Sequence, residues 1–163
     1  MTGGGSSLPE VQRLLAVLAA GKRCAEVGTA FGEGAAAMAS TARSLVTVEL
    51  DLDRVTVAAY RLRRFPNVEL LAGDWRDHLP QRAPFDLLFF DGGRFDESPD
   101  SIELVAKGGL ILKDDLTPDW AGPDPVRELL FNHPELIAVE LLTTPQTAAV
   151  LAVRLEAADG SGT

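Results

Sequence analysis

The sequence predicts an α/β fold in which a doubly wound, mostly parallel sheet of seven strands is covered by helices on both faces. Two observations lead to this prediction. Short apolar segments alternate with segments of helical spacing as far as residue 133, and two strand-like segments then follow with only five residues between them. Because a parallel crossover needs about a dozen residues or more, these last two strands must form an antiparallel hairpin.

The elements are predicted in chain order. Residues 7–10 have the pattern of a capping box, and helical spacing continues from there to Gly21. Strands are predicted at residues 24–27, 45–50, 68–72, 85–90, 110–112, 136–142 and 148–155. Further helices are predicted from about residue 34, after the second strand up to residue 65, over residues 98–108, and over residues 124–133.

Composition predicts a single globular domain over residues 1–163, with flexible tails at residues 1–6 and 158–163. The net charge of −9 argues against nucleic acid as a main partner, since that binding relies on clustered Lys and Arg. No apolar run is long enough to span a membrane, and no signal-peptide pattern is present. Cys24 is the only cysteine, which predicts a packing role in a reducing, cytoplasmic setting.

The turn after the first strand is the most informative segment, with the sequence E-V-G-T-A-F-G-E-G over residues 26–34. Glycines at a strand-to-helix turn let the backbone come close to a ligand, because no Cβ stands in the way. The carboxylate of Glu26 is unfavourable beside a phosphate. The turn therefore favours a nucleoside with a cationic or zwitterionic group, and S-adenosylmethionine before any nucleotide phosphate.

This motif and the order of elements over residues 8–155 resemble the class I S-adenosylmethionine-dependent methyltransferases, whose fold is Rossmann-like. The resemblance implies that the turn surrounds the methionine portion of the cofactor through Glu26, Gly28, Thr29, Gly32 and Gly34. A permissive dinucleotide pattern also begins at Gly32, but that pattern requires its first glycine at the strand tip. A nicotinamide-dependent oxidoreductase is therefore set aside.

Three further residues match the cofactor site of that family. Glu49 ends the second strand and matches the acid that holds the two ribose hydroxyls, although it could also be a solvated strand-end acid. Asp74 and Trp75 resemble the segment at the adenine. The alternatives are that Asp74 caps a short helix and that Trp75 closes the core.

Asp91 ends the fourth predicted strand, and Asp114 and Asp115 end the fifth. Carboxylates that meet at one sheet edge suit a hard cation such as Mg²⁺. In small-molecule O-methyltransferases similar to catechol O-methyltransferase, the matching positions carry Asp, Asp and Asn and hold such a metal. The resemblance therefore implies a metal site here. The alternative is that Asp91 contacts the cofactor or the substrate, while the other two aspartates shape a turn.

The chain departs from that group at the position of the catalytic base. Its metal-dependent members place a lysine three residues after the fourth-strand aspartate, and Arg94 stands at this position. A guanidinium stays protonated, so it cannot act as a general base. Arg94 could instead clamp an acidic group of the substrate, while Lys113 or a metal could assist deprotonation.

Two hypotheses of different classes follow. The first is an S-adenosylmethionine-dependent methyltransferase acting on the oxygen of a small molecule with help from a divalent metal. The second is a module that binds S-adenosylmethionine or S-adenosylhomocysteine and acts as a partner or sensor subunit, favoured by the missing lysine and the short loop before Asp124. The sequence leaves the acceptor, the metal, the base and the oligomeric state open. Trp120 in that loop is either a substrate lid or a contact in a homodimer.

Overall fold

The computed structural model describes residues 7–156, so both predicted flexible tails lie outside the described residues. The strands are β1 (Arg23–Val27), β2 (Ser44–Glu49), β3 (Val68–Ala72), β4 (Phe85–Phe90), β5 (Val105–Leu116), β6 (Leu136–Thr144) and β7 (Thr147–Arg154). The α-helices are α1 (Pro9–Ala19), α2 (Glu33–Ala39), α3 (Leu52–Leu62), α4 (Trp75–His78) and α5 (Pro125–Asn132). Short 3₁₀ segments cover Pro80–Arg82, Phe95–Glu97 and Pro99–Leu104.

All seven strands form one sheet in the order β3-β2-β1-β4-β5-β7-β6. The first five strands are mutually parallel, and β7 runs antiparallel to both of its neighbours, β5 and β6. The predicted fold class is confirmed, including the C-terminal hairpin with its single antiparallel strand.

The two faces of the sheet carry separate apolar clusters, as expected when helices cover both sides. Strand β4 shows how the sequence divides between them. Leu87 and Phe89 pack into the cluster that contains α1 and α2, whereas Leu88 and Phe90 pack into the cluster that contains α5. Successive side chains of a strand point to opposite faces, so one apolar strand contributes to both clusters.

Two element predictions are wrong. The first residue of α1 is Pro9, and its N-cap Leu8 makes no side-chain capping bond, so residues 7–10 are not a capping box. The helix predicted over residues 98–108 is instead a short 3₁₀ segment followed by the first part of β5. Gly108, the last residue of that predicted helix, lies inside β5 with φ +79°, where the pairing with β4 shifts register. Glycine inside a strand often marks such an irregularity.

Cys24 is fully buried in β1, as predicted. Burial, helped by the nearby charge of Asp86, raises the pKa of its thiol to about 12, so the reactive thiolate is disfavoured. Within residues 7–156, no helix combines the length and the apolar character needed to cross a bilayer.

Candidate functional site

A cavity of about 330 Å³ opens at the carboxyl ends of the parallel strands. The strand order reverses between β1 and β4, and the turns after both strands line this cavity. Open α/β sheets bind ligands at such a switch point. The predicted site residues that line the cavity are Gly28, Glu49, Asp74, Trp75, Asp91, Arg94 and Asp115.

Two backbone turns come into direct contact at the switch point. The amide of Gly92 donates to the carbonyl of Val27 at 2.8 Å, and the amide of Gly28 donates to the carbonyl of Val48 at 2.9 Å. A Cβ atom on Gly28 would lie 2.6 Å from the nitrogen of Gly92, and Gly28 has φ +89°. Glycine is therefore required here by the neighbouring turn as well as by a left-handed backbone.

The carboxylate of Glu49 is held from two sides by backbone donors. It accepts a hydrogen bond from the amide of Ala30 at 2.7 Å and another from the amide of Asp51 at 3.0 Å. The side chain is buried, yet it lines the cavity. Each carboxylate oxygen can accept more than one hydrogen bond, so both can still accept hydroxyl groups from a ligand.

Asp74 and Trp75 hold structural roles and also line the cavity. Asp74 caps α4 by accepting from the amide of Arg76 at 2.9 Å, and the two side chains form an ion pair. Trp75 packs edge-on against Phe90, with ring centroids 6.0 Å apart. These observations match the capping and core-closing alternatives, and they leave both residues accessible to a ligand in the cavity.

Several cavity residues are absent from the predicted site, and Leu50 and Ser98 are two of them. Leu50 lines the cavity with 73% of its surface exposed, which is unusual for a large apolar side chain. Ser98 lines it from the other side and accepts a hydrogen bond from the guanidinium of Arg76 at 2.7 Å. Leu50 could have been identified as a cavity residue, because it is an apolar residue directly after the last acid of β2, where the chain leaves the sheet. No pattern distinguished Ser98.

The remaining residues of the glycine turn form a packed support beneath the cavity. Glu26, Thr29, Gly32 and Gly34 do not line it. Glu26 is buried and accepts a hydrogen bond from the hydroxyl of Thr47, which also bonds to the hydroxyl of Thr29. A Cβ atom on Gly34 would lie 2.7 Å from a carboxylate oxygen of Glu26, so this glycine makes room for the acid.

Burial raises the pKa of the Glu26 carboxyl to about 8, with the hydrogen bond from Thr47 opposing the shift and the nearby charges of Asp91 and Glu49 adding to it. The acid under the turn is therefore close to its titration point at neutral pH. This follows from the general rule that burial disfavours the charged form of a carboxyl.

The three predicted metal ligands lie together. One carboxylate oxygen from each of Asp91, Asp114 and Asp115 lies within 4.8 Å of the others. Burial, together with the charges of Asp115 and Asp114, raises the pKa of Asp91 to about 7. Buried Oδ1 atoms of Asp91 and Asp114 have no hydrogen-bond partner among the described residues. Since orphaned carboxylate oxygens at this spacing are suitable donors for a hard cation, the cluster fits a divalent metal.

The two basic residues of the predicted site differ in position. Lys113 is buried and does not line the cavity, and its ammonium donates to the backbone carbonyl of Asp114 at 2.6 Å. Arg94 lines the cavity and forms ion pairs with Asp96 at 2.7 Å and with Glu97 at 3.2 Å. Both basic groups are thus already engaged by neighbouring acidic or carbonyl oxygens.

Known proteins share this fold. No model of a protein family matches the chain. A protein-L-isoaspartate O-methyltransferase of Burkholderia mallei is 34% identical over 107 residues, which are 63% of this chain but only 33% of the relative. The O-methyltransferase of Bacillus cereus, solved with S-adenosylhomocysteine, superposes with a TM-score of 0.74 at 22% identity, covering 91% of this chain and 83% of that one. A tRNA methyltransferase of Aquifex aeolicus gives 0.73 at 19% identity, covering 93% and 70%.

The buried acid under the turn makes stability depend on pH. A carboxyl with a raised pKa in the folded chain binds its proton preferentially when folded, so its contribution to stability is fully present below the unfolded value near 4.5 and is lost as the pH rises through about 8. Between about pH 5 and about pH 8.5, the free energy of unfolding of the wild type should fall by roughly 2–4 kcal/mol relative to Glu26→Gln, measured by urea denaturation.

Glu10→Gln is the matched control, because Glu10 is an exposed acid in the first turn of α1. Its pH dependence should follow that of the wild type. Parallel curves for Glu26→Gln and the wild type would show that the buried carboxyl does not bind a proton preferentially in the folded state.

Proposed function

The chain has the fold of class I S-adenosylmethionine-dependent methyltransferases, and we propose that it transfers a methyl group from S-adenosylmethionine to an oxygen of a small molecule. The observation that carries the proposal is the cavity at the β1/β4 switch point, which has the held carboxylate of Glu49 on one side and the aspartate cluster on the other. The curated relative matches over a minor part of its own length, so the activity is proposed from the site.

The cofactor would extend across the switch point. Glu49 would accept hydrogen bonds from the two ribose hydroxyls, since its carboxylate is already oriented by two backbone amides. Leu50 and Trp75 would border the adenine, and Asp74 would accept from its amino group. The turn at Gly28 would lie along the methionine portion, supported from below by the Glu26 network. When bound, S-adenosylmethionine supplies a methyl group activated by its sulfonium charge.

The acceptor would lie beside the aspartate cluster. We assign Asp91, Asp114 and Asp115 to a divalent cation, which would supply positive charge near the acceptor oxygen. Lys113 would offset part of the negative charge of the cluster. Arg94, at the rim, would contact an acidic group of the acceptor after exchanging one of its carboxylate partners. Methyl transfer is an in-line displacement, so the main task of these residues is to position the acceptor.

A small-molecule acceptor agrees best with the charge of the chain, and the single cysteine, Cys24, agrees with a reducing cytoplasm. A net charge of −9 disfavours binding to a phosphate backbone, which depends on clustered Lys and Arg. The similar proteins include a protein methyltransferase and a tRNA methyltransferase by name, so the acceptor class is a proposal for this chain.

A binding module without turnover is the second candidate. Arg94 stands where a general base would be expected, and it is engaged by Asp96 and Glu97. A chain that lacks a base but retains the cofactor cavity could signal the level of S-adenosylmethionine to a partner. The two functions differ only in turnover, because both require the same cofactor site.

Cofactor binding tests the part of the proposal that both functions share. Calorimetric titration of the purified chain with S-adenosylhomocysteine should give saturable binding. Glu49→Ala should weaken it roughly 10- to 100-fold, because two hydrogen bonds to a charged acceptor are lost. Glu69→Ala, which removes an exposed carboxylate on β3 outside the cavity, should bind like the wild type. Absence of heat from a folded wild-type sample would reject the cofactor, and unaltered binding by Glu49→Ala would reject the ribose assignment.

Metal binding is tested without reference to activity. Paramagnetic resonance of Mn²⁺ should show binding to the wild type and a weakening of roughly tenfold or more in Asp91→Asn and Asp115→Asn, since each loses a charged oxygen donor. Asp100→Asn changes an exposed acid outside the cluster and should bind as the wild type does. Equal binding by all four proteins would place the cation elsewhere.

A turnover assay distinguishes a methyltransferase from a binding module without turnover. A panel of catechols, other phenols and hydroxy acids is incubated with radiolabelled S-adenosylmethionine, with and without Mg²⁺. We expect methylation of at least one acceptor, with an increase on adding Mg²⁺. If S-adenosylhomocysteine binds tightly while no acceptor in the panel is methylated under either condition, the binding module becomes the better description.

A further inference from the structure

Two acids of the aspartate cluster lie in an irregular part of β5. The pairing of β5 with β7 shifts register between Lys113 and Leu116. The two residues in between are Asp114 and Asp115, and they stand opposite the single residue Ala149 of β7. Such a bulge re-aims side chains away from the regular ladder, and bulges are common beside functional sites. The position of both carboxylates therefore depends on how the bulge is held.

The bulge is held differently at its two ends. Asp115 has a left-handed φ of +61°, which a non-glycine residue keeps only where the surrounding structure fixes it. On the N-terminal side, Lys113 pairs with both β4 and β7. On the C-terminal side, β4 no longer pairs with β5, and the ladder with β7 ends at Leu116. The residues after Leu116 therefore depend on contacts outside the strand ladders.

Arg127 of α5 supplies such a contact. Within the described part of the chain, it is the only side chain from outside residues 117–124 that hydrogen-bonds to this loop. Its Nη2 atom donates to the carbonyl of Thr117 at 2.8 Å, two residues after Asp115. Its Nη1 atom donates to the carboxylate of Asp124 at the other end of the loop. One guanidinium therefore closes the loop between β5 and α5.

Glu140 fixes the direction in which the side chain of Arg127 points. Both carboxylate oxygens of Glu140 accept from the guanidinium, one from Nε and one from Nη2, each at 2.8 Å. A bidentate pair of this kind defines the plane of the guanidinium as well as its position. Glu140 lies on β6, which pairs with β7, so the carbonyl of Thr117 is held relative to the sheet itself.

We propose that Arg127 is a positioning residue for the aspartate cluster, and that it holds the loop after β5 so that the carboxylate of Asp115 meets those of the other two acids. The inference rests on the metal site of the proposed function, and it assigns no contact between Arg127 and a ligand. Charge alone gives a different expectation. A positive charge on the chain repels a cation, so its removal would leave cation binding unchanged or strengthen it. A positioning role predicts weaker binding instead.

Arg154 on β7 offers a matched control within the same sheet. Its side chain is 15% exposed, against 17% for Arg127. It donates to the carboxylate of Glu135 at 2.9 Å and to the carbonyl of Val105 at 2.8 Å. Val105 is the first residue of β5, so Arg154 supports the end of the strand that lies away from Asp115. The two arginines are thus alike in burial and in the kind of bonds they make, and they hold opposite ends of β5.

Binding of Mn²⁺ to the full chain, measured by paramagnetic resonance, tests the proposal. Arg127→Met should bind Mn²⁺ roughly tenfold or more weakly than the wild type, because an outer support of a metal ligand is lost. Arg154→Met removes the same charge and should bind like the wild type. Arg127→Lys keeps the charge but cannot reproduce the planar set of contacts, so it should also weaken binding. Circular dichroism establishes folding, and where a methionine variant does not fold, Arg127→Lys and Arg154→Lys form the matched pair.

Hydrogen exchange reports on the loop without a metal. Amides of residues 114–120 should exchange faster in Arg127→Met than in Arg154→Met or the wild type. Equal exchange of this segment in the two variants overturns the proposal. So does unaltered or tighter Mn²⁺ binding by Arg127→Met, equal weakening in both methionine variants, or wild-type affinity in Arg127→Lys. A wild type that binds no Mn²⁺ rejects the metal assignment, and the exchange data alone then decide whether Arg127 holds the loop.

Discussion

The direct contact between two backbone turns at the centre of the sheet determines the geometry of the whole site. Gly28 and Gly92 approach so closely that a single Cβ atom would separate the turns after β1 and β4. The amides of Asp91 and Gly92 both donate to the carbonyl of Val27, which fixes the fourth-strand acid relative to the glycine turn. The glycine turn and Asp91, one member of the aspartate cluster, are therefore held in one backbone arrangement rather than in two separate loops.

The same arrangement concentrates negative charge. Glu26, Glu49 and Asp91 interact closely enough for the charges of Glu49 and Asp91 to raise the pKa of Glu26, and Asp114 and Asp115 act similarly on Asp91. Like charges brought together in a partly buried site raise the free energy of the folded chain unless cations or protons compensate them. Lys113 provides one positive charge from the chain itself. A sulfonium cofactor and a divalent cation would provide the rest, which links the two proposed ligands through a common electrostatic cause.

The topology could be predicted from the sequence because short apolar strands, helical spacing and the short C-terminal connection are local signals that few other folds satisfy. The helix predicted over residues 98–108 was wrong, since the paired glycines at 108 and 109 are compatible both with the end of a helix and with a bend in a strand. For the site, strand-end acids could be predicted because parallel strands share one edge. The support role of Glu26 could not be predicted, because side-chain direction at a turn depends on the packing of distant elements.

The backbone at Asp115 limits which residues this position can hold. Its φ of +61° is left-handed, a conformation that costs most residues energy and that Asn and Asp adopt more readily than other non-glycine residues. The position also lines the cavity, where the proposed metal site would need an oxygen ligand. Only the two Asx residues satisfy both demands. An exchange between them therefore alters the local charge by one unit while the main chain keeps its shape, so the charge of the proposed metal site can change without a change in the loop.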